Sequence, residues 1–385
     1  MRVAIVMGAL VREQMNLWVA CSELGVDMTI IGADPVLHRT DDWSSQSGPI
    51  GHARCIMLPV VSPAAHRGQQ LWAYRGLGRT LRRLRPDVIH VESEPWGGLT
   101  LQTLLLTKAS RLGSSICVHG ADSIYWHGSR LEQSIRRLVL SVALPHVSAF
   151  VSRNRAGVRL ATQAGLRASS PTRVLPAAVP DPNVFKPATD EQRRELRRRF
   201  ELPEQEVIVA YLGRLVEEKG VRDLVEAAKR PEAGNPYLVV WGSGPLASLV
   251  EEAFGTGRLR GRYGGPVGRS EVAHAIQAVD VIAVPSRRTA DWREHFGRVV
   301  LEAMFSGCAV VAYASGAIPE VAGDGGVLVK EGDVDGLAAA IGRLIKDESF
   351  RVETAMRGRQ QALAKFDPTL VAGQLISLWS EVLHA

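Results

Sequence analysis

Residues 279–307 read VDVIAVPSRRTADWREHFGRVVLEAMFSG, and the fold turns on what they form. The β-branched apolar run 279–284 stops at Pro285-Ser286, which predicts a buried strand ending at its carboxyl edge. A polar loop, 287–294, follows. Phe296-Gly297 then opens a helix to about Phe305, with Gly307 where a helix C-cap glycine belongs. In an open parallel sheet, ligands settle beyond the carboxyl ends of strands, beside helix N-termini. The first amides of this helix, Gly297, Arg298 and Val299, make a ready anion site. Glu294 before the helix and Glu302 on it frame that site with two carboxylates, each suited to vicinal hydroxyls of a ribose or hexose. Spacing alone fits a loop charge and an ordinary helix-surface glutamate equally well.

Outward from this stretch, the second half of the chain alternates strands and helices. Strands are expected at 207–212, 237–240, 309–312 and 326–329. Helices are expected at 191–200, 221–229, 246–253, 270–278, 333–346, 350–364 and 368–383. The first half has strands at 3–6, 28–31, 55–60, 86–91, 115–118 and 149–152, with helices at 11–24 and 71–84. This alternation predicts an α/β protein with parallel sheets. The segment 176–190 contains four prolines, breaks every periodicity and reads as an interdomain linker. Helix 191–200 carries Arg193, Arg194, Arg197, Arg198 and Arg199, which reads as a solvated face.

With 385 residues there is room for two domains of ordinary size. Apolar content of 46% against 22% charged residues excludes a disordered chain. MRVAIVMG has too short an apolar core for a signal peptide, and no run approaches the roughly 18 apolar residues of a transmembrane helix. A cytoplasmic protein is therefore expected. Cys21, Cys55, Cys117 and Cys308 are far apart with no CxxC, so reduced core thiols are expected. Residues 1–186 hold 21 Lys and Arg against 12 Asp and Glu, whereas 187–385 hold 25 against 28. That basic first half suits an anionic acceptor, an anionic membrane surface touched peripherally, or nucleic acid; it equally fits arginines that merely solvate helices. No zinc spacing or aromatic–basic interleaving supports nucleic acid.

Gly213-Arg214-Leu215-Val-Glu-Glu-Lys219-Gly220 follows one strand and precedes one helix, so both cations project over a crevice at a strand's carboxyl end. Arg forks onto two phosphate oxygens, and Lys acts as a mobile point charge. Together with Glu294-His-Phe-Gly-Arg-Val-Val-Leu-Glu302, this motif resembles the donor site of retaining glycosyltransferases of family 4. The resemblance implies the GT-B fold: two Rossmann-like domains with parallel sheets facing across a cleft. Residues 1–180, joined by a C-terminal helix 367–385, would bind the acceptor; residues 181–366 would bind the donor. It further implies a hexosyltransferase taking a UDP- or GDP-sugar, with Arg214 and Lys219 on the diphosphate, Glu294 on the sugar and Glu302 on the ribose. Phe296, Gly297, Arg298 and Val299 would cradle the diphosphate. Gly242-Ser-Gly244-Pro245, Gly261-to-Val267 and Ser315-Gly-Ala317-Ile-Pro-Glu320 resemble further family elements, with Val267 where backbone groups read the base. The second glycine of the last element is Ala317 here.

In the first half, His119 ends a strand where the family places a histidine near the transferred sugar, which makes it a catalytic candidate. Gly8 stands where the family has a glycine pair at the donor phosphate, though Ala9-Leu10 follow it. His90, Glu92 and His127 are candidate contacts for the acceptor, which would be a small molecule, a glycan or a lipid-linked sugar. The lone Asp-x-Asp, Asp333-Val-Asp335, sits at a helix N-cap, where capping explains it. Metal-independent chemistry without a cofactor is therefore expected. Two alternatives stay open: a GT-B sugar-nucleotide epimerase or hydrolase, and a non-enzymatic anion binder.

Overall fold

The computed structural model describes residues 1–8, 12–33, 51–61, 72–121 and 129–384. The chain begins β1 (Arg2–Met7), α1 (Arg12–Glu23), β2 (Asp27–Ala33), β3 (Arg54–Leu58), α2 (Leu77–Leu84), β4 (Val88–Glu92), α3 (Gly98–Ala109), β5 (Ser115–Gly120), α4 (Arg130–Ala143), β6 (Ala149–Ser152), α5 (Arg155–Gln163) and β7 (Thr172–Val174). It continues with α6 (Asp190–Arg199), β8 (Ile208–Leu212), α7 (Val221–Ala228), β9 (Tyr237–Trp241), α8 (Ala247–Gly255), β10 (Gly261–Gly265), α9 (Val272–Gln277) and β11 (Val281–Val284). Then come α10 (Arg298–Phe305), β12 (Ala309–Tyr313), α11 (Ile318–Ala322), β13 (Val327–Val329), α12 (Val334–Lys346), α13 (Glu348–Phe366) and α14 (Pro368–Leu383).

These elements form two compact units, Met1–Val179 with Pro368–Ala385, and Pro180–Asp367. The first unit holds a parallel sheet ordered β3-β2-β1-β4-β5-β6-β7, the second a parallel sheet ordered β10-β9-β8-β11-β12-β13. Each chain path runs outward to one edge and then returns beside its first strand. The topological switch point therefore lies between β1 and β4 in one unit and between β8 and β11 in the other. Loops at the carboxyl ends of those pairs are where an open sheet presents a ligand crevice. The central strands are buried on both faces, as helices on both sides of a parallel sheet require.

α13 stops at Asp367, whose backbone is extended before Pro368, and Pro368 opens α14. α14 buries Val371, Ala372, Leu375, Leu378 and Trp379 at helical spacing, packing on α1 in the first unit. The proline-rich linker is tied down: Gln277 Nε2 donates to the carbonyls of Val184 and Lys186.

Several expectations need correction. The helix expected from residue 71 begins only at Leu77; Leu71 lies outside the described residues. Tyr74 is held in a bridge to Val60, with Gln102 bonding both its amide and its carbonyl and its hydroxyl donating to Met7 O at 2.6 Å. Those tertiary bonds override the helical pattern. β10 is a strand despite its three glycines. A Cβ at Gly261 would collide with the Leu238 carbonyl, so close backbone approach, not β propensity, explains the sequence. Helix α6 is only partly a solvated face. Arg193 and Arg197 both pair with Asp280, at 2.8 and 2.7 Å, and buried Arg197 also donates to the Ala278 and Glu204 carbonyls.

Candidate active site

The loops after β8 and β11 are zipped together at the second switch point. Gly220 adopts the left-handed conformation, and a Cβ there would strike the Pro285 carbonyl. The Arg287 amide donates to Glu218 O at 2.8 Å, and Arg287 also pairs with buried Asp223, which accepts from the Tyr313 hydroxyl at 3.0 Å. Lys219 ends a short 3₁₀ turn between these anchors. Its Nζ donates to Glu294 Oε2 at 2.6 Å and lies 4.6 Å over the Trp292 ring. Ser286 Oγ donates to the same carboxylate oxygen at 3.3 Å, and Oε1 accepts the Gly297 amide at 3.2 Å.

One carboxylate thus joins the Lys219 ammonium to the start of α10. Gly297, at φ +84°, is the N-cap of that helix. Its amide is occupied by Glu294, so the expected three-amide anion site reduces to Arg298 and Val299, which precede the first intrahelical bond, from Val300 to Gly297. The backbone of Glu294 is fixed as well, since its carbonyl accepts the Ala317 amide at 2.9 Å. Gly316 has φ +57°, and a Cβ there would strike that carbonyl, whereas Ala317 is right-handed. The departure at Ala317 is therefore harmless, and the glycine that the geometry demands is present.

Arg214 is placed differently from Lys219. Its side chain is 63% exposed and pairs with Glu218 at 3.3 Å, while its carbonyl accepts the Tyr211 hydroxyl at 2.6 Å. Glu302 is no helix-surface charge: its side chain is 7% exposed and lies 3.3 Å from Arg298 Nε. Phe296 packs edge-on against Phe366. Gly242 is accounted for by packing, because a Cβ would strike the Gly213 carbonyl, and its own carbonyl accepts from Tyr263 at 2.8 Å. Half-buried Val267 follows β10, two strands from β8 and so roughly 10 Å across the sheet. Sequence reasoning missed Trp292, Ser286 and the Arg287–Asp223–Tyr313 clamp; the loop's polarity was a signal for Arg287 alone, since Asp223 lies in α7 and Tyr313 ends β12.

At the first switch point, Gly8, Glu92, Glu94, His119, Ala121 and Arg153 line a cavity of about 190 Å³. Glu92 Oε1 lies 2.7 Å from His119 Nδ1 and 3.2 Å from His90 Nε2. Burial alone would raise the Glu92 carboxyl, but His119 foremost, with His90, outweighs it and holds the group well below the usual carboxylate range. His119 Nε2 meets the Leu175 carbonyl at 3.1 Å. His119 Nε2 is thus taken by the protein backbone, while Nδ1 faces Glu92 without an aligned hydrogen bond. His90 needs correction. It is fully buried between Trp18 and Trp379, and Trp379 Nε1 donates to its Nδ1, so it does not reach an acceptor. His127 lies outside the described residues.

His90, Glu92 and His119 are, among the described residues, the one cluster with metal-ligand spacing. The Trp379 indole, a donor only, requires an unprotonated Nδ1 on His90, which puts the proton of a neutral ring on Nε2. That nitrogen then donates to Glu92 and is a poor metal ligand. Asp333 caps α12, accepting the Gly336 amide at 2.9 Å.

Two doubly wound, Rossmann-like units, each gathering polar loops at its switch point, define an α/β protein of the GT-B class. The profile described as "Glycosyl transferases group 1" matches residues 192–361, and a "Glycosyl transferase 4-like domain" profile matches residues 8–178. Alpha-D-kanosaminyltransferase of Streptomyces kanamyceticus is 26% identical over 353 residues, 86% of this chain and 89% of that protein. D-inositol 3-phosphate glycosyltransferase of Salinispora tropica is 32% identical over 56% of this chain and 47% of its own length. In fold, Anabaena HepE in complex with UDP superposes with a TM-score of 0.73 at 18% identity, covering 99% of this chain and all of that one. A glycosyltransferase of Rickettsia africae superposes with a TM-score of 0.75 at 17% identity, covering 99% and 98%. The chain belongs to the group 1 glycosyltransferases of GT-B fold.

Proposed function

We propose that the chain is a retaining hexosyltransferase that moves a sugar from a UDP- or GDP-sugar to an acceptor hydroxyl without a metal ion. One observation carries this reading: a single carboxylate, Glu294, joins Lys219 to the N-terminus of α10 at the second switch point. Lys219 keeps Glu294 and still has N–H groups for a phosphate oxygen, since an ammonium offers three donors. The positive end of α10 meets the same diphosphate through the Arg298 and Val299 amides. These groups stabilise the negative charge that grows on the leaving phosphate as the anomeric carbon gains oxocarbenium character. Buried Glu302 receives the ribose hydroxyls, and Arg214, at the rim, adds charge rather than a fixed bond. Support for UDP comes from HepE, which has been solved with UDP, with UDP and glucose, and with UDP-glucose. Retention rests on the family resemblance. The acceptor is assigned to the first unit and its strand-end cavity.

Transfer of labelled sugar from a nucleotide-sugar panel, in the presence of chelator, tests the reading. Turnover that survives chelation supports it. Loss of all transfer on chelation contradicts metal independence, and release of free sugar without transfer to any acceptor favours a hydrolase. A sharper outcome is expected for Glu294→Gln. Removing a negative charge beside the diphosphate should leave UDP affinity equal or higher in calorimetry, while transfer falls about tenfold to a hundredfold. Weaker UDP binding would place Glu294 in nucleotide recognition instead.

A further inference from the structure

In the first unit, α4, α5 and β6 enclose a cavity of about 490 Å³. α5 turns Gly157, Leu160, Ala161 and Ala164 toward it at i, i+3, i+4 and i+7, and three of these are small enough to leave room. α4 faces it with Gln133, Arg136, Arg137 and Leu140 at the same spacing. The aliphatic side chains that could fill the space form an outward stripe instead. Leu131, Ile135, Leu138 and Val142 are each more than half exposed, and only Ala143 of α4 is buried. Phe150 and Trp96 supply aromatic walls, and Arg136, 3.8 Å over the Trp96 ring, holds that ring in place. The cavity abuts the strand-end cavity of Glu92 and His119, since Glu94 lines both. Glu94 is anchored there: its Oε1 accepts the Ala121 amide at 2.9 Å and its carbonyl accepts the Thr100 hydroxyl at 2.8 Å. Gly120 ends β5 at this seam. A Cβ there would crowd Glu94 Oε2 at 3.2 Å and both Phe150 and Pro95 at 3.3 Å, so glycine keeps the seam free of a side chain.

We propose that this cavity is an acceptor subsite for a compact apolar aglycone, aryl or short alkyl, whose hydroxyl lies across the seam in the strand-end cavity. The inference rests on the assignment of the acceptor to the first unit and narrows its chemistry. Small-molecule sites are concave and mostly apolar, roughly 300–1,000 Å³, with a few placed polar groups that fix orientation. Here the walls of Leu140, Phe150 and Leu160 supply the apolar part, and Gln133, Arg136 and Glu94 supply the polar groups. Side chains inside a domain ordinarily close such a space, whereas the glycine and alanines of α5 keep this one open. A bare sugar or polyol would gain nothing from these walls, because they reward only apolar surface withdrawn from water.

Methyl, hexyl and 2-naphthyl β-D-glucoside share one headgroup and test this by calorimetry on the full chain. The hexyl and naphthyl compounds are expected to bind about tenfold or more tightly than methyl glucoside, from the apolar area each buries. Comparing the two separates an alkyl from an aryl preference. Ala164→Trp fills the cavity from α5 and Leu140→Trp fills it from α4, and each should erase the difference. Both variants should keep the UDP affinity and melting temperature of wild type. UDP affinity is read on the same samples, so a failed donor site and a failed apolar subsite are told apart. Apolar glucosides that bind wild type no tighter than methyl glucoside would overturn the proposal, as would full binding to both filled variants. So would apolar glucosides that bind yet neither accept sugar nor block transfer to another acceptor.

Discussion

Lys219→Ala is expected to lower turnover with a nucleotide sugar by about a hundredfold or more, with melting temperature little changed. Removing one preorganised charge-stabilising donor costs roughly 10²–10³ in kcat, or about 3–4 kcal/mol of barrier. Lys219 is well preorganised: the clash-limited Gly220, the Arg287–Glu218 bond and the Trp292 ring all fix where its ammonium stands. The effect should fall on kcat more than on KM, because the charge it meets grows toward the transition state. Arg214→Ala should cost only about tenfold, since an exposed, salt-screened guanidinium contributes less than a held one. Steady-state kinetics of the two variants would show the order. Equal, near-normal activity in both would remove the leaving-group argument.

Glu92→Ala is the second large effect, and it acts on stability. Glu92 sits between two buried imidazoles, and its removal strands them without their carboxylate. Deleting the carboxylate leaves the buried His90 Nε2–H without its acceptor, and stranding a buried donor costs about 1–3 kcal/mol. Thermal unfolding should show a clear loss assigned to the first unit. The pH dependence has a definite sign. A carboxyl whose folded pKa is depressed contributes stability that is present above its unfolded value, roughly pH 4.3, and is lost as pH falls through the lower folded value. Wild type should therefore lose stability on acidification below about pH 4.3, while Glu92→Gln shows a flatter profile. Superimposable acid profiles would show that Glu92 is not ionised in the folded chain.

Much of the second half was legible because its signals are local. Strand, loop and helix 279–307 are contiguous, and Gly213–Gly220 carries its cations between a strand and a helix. Burial of Glu302 and the Lys219–Glu294 pair, 75 residues apart in sequence, needed the sheet order to bring β8 beside β11. The first half was misread where long-range packing decides. His90 looks like an exposed strand end until Trp379, 289 residues later, covers it. Tyr74 looks helical until Gln102 claims its backbone. The outward stripe of α4 had no place in the expectations because periodicity shows that apolar residues share a face, not which way the face points. α3 and α5 were likewise missed beside it.

The most direct test of the proposed donor site is a crystal structure of the chain with UDP. The diphosphate is expected within hydrogen-bonding distance, about 3 Å, of Lys219 Nζ and of the Arg298 and Val299 amides, with the ribose at Glu302. A diphosphate bound elsewhere, with Lys219 still engaged only by Glu294, would contradict the account.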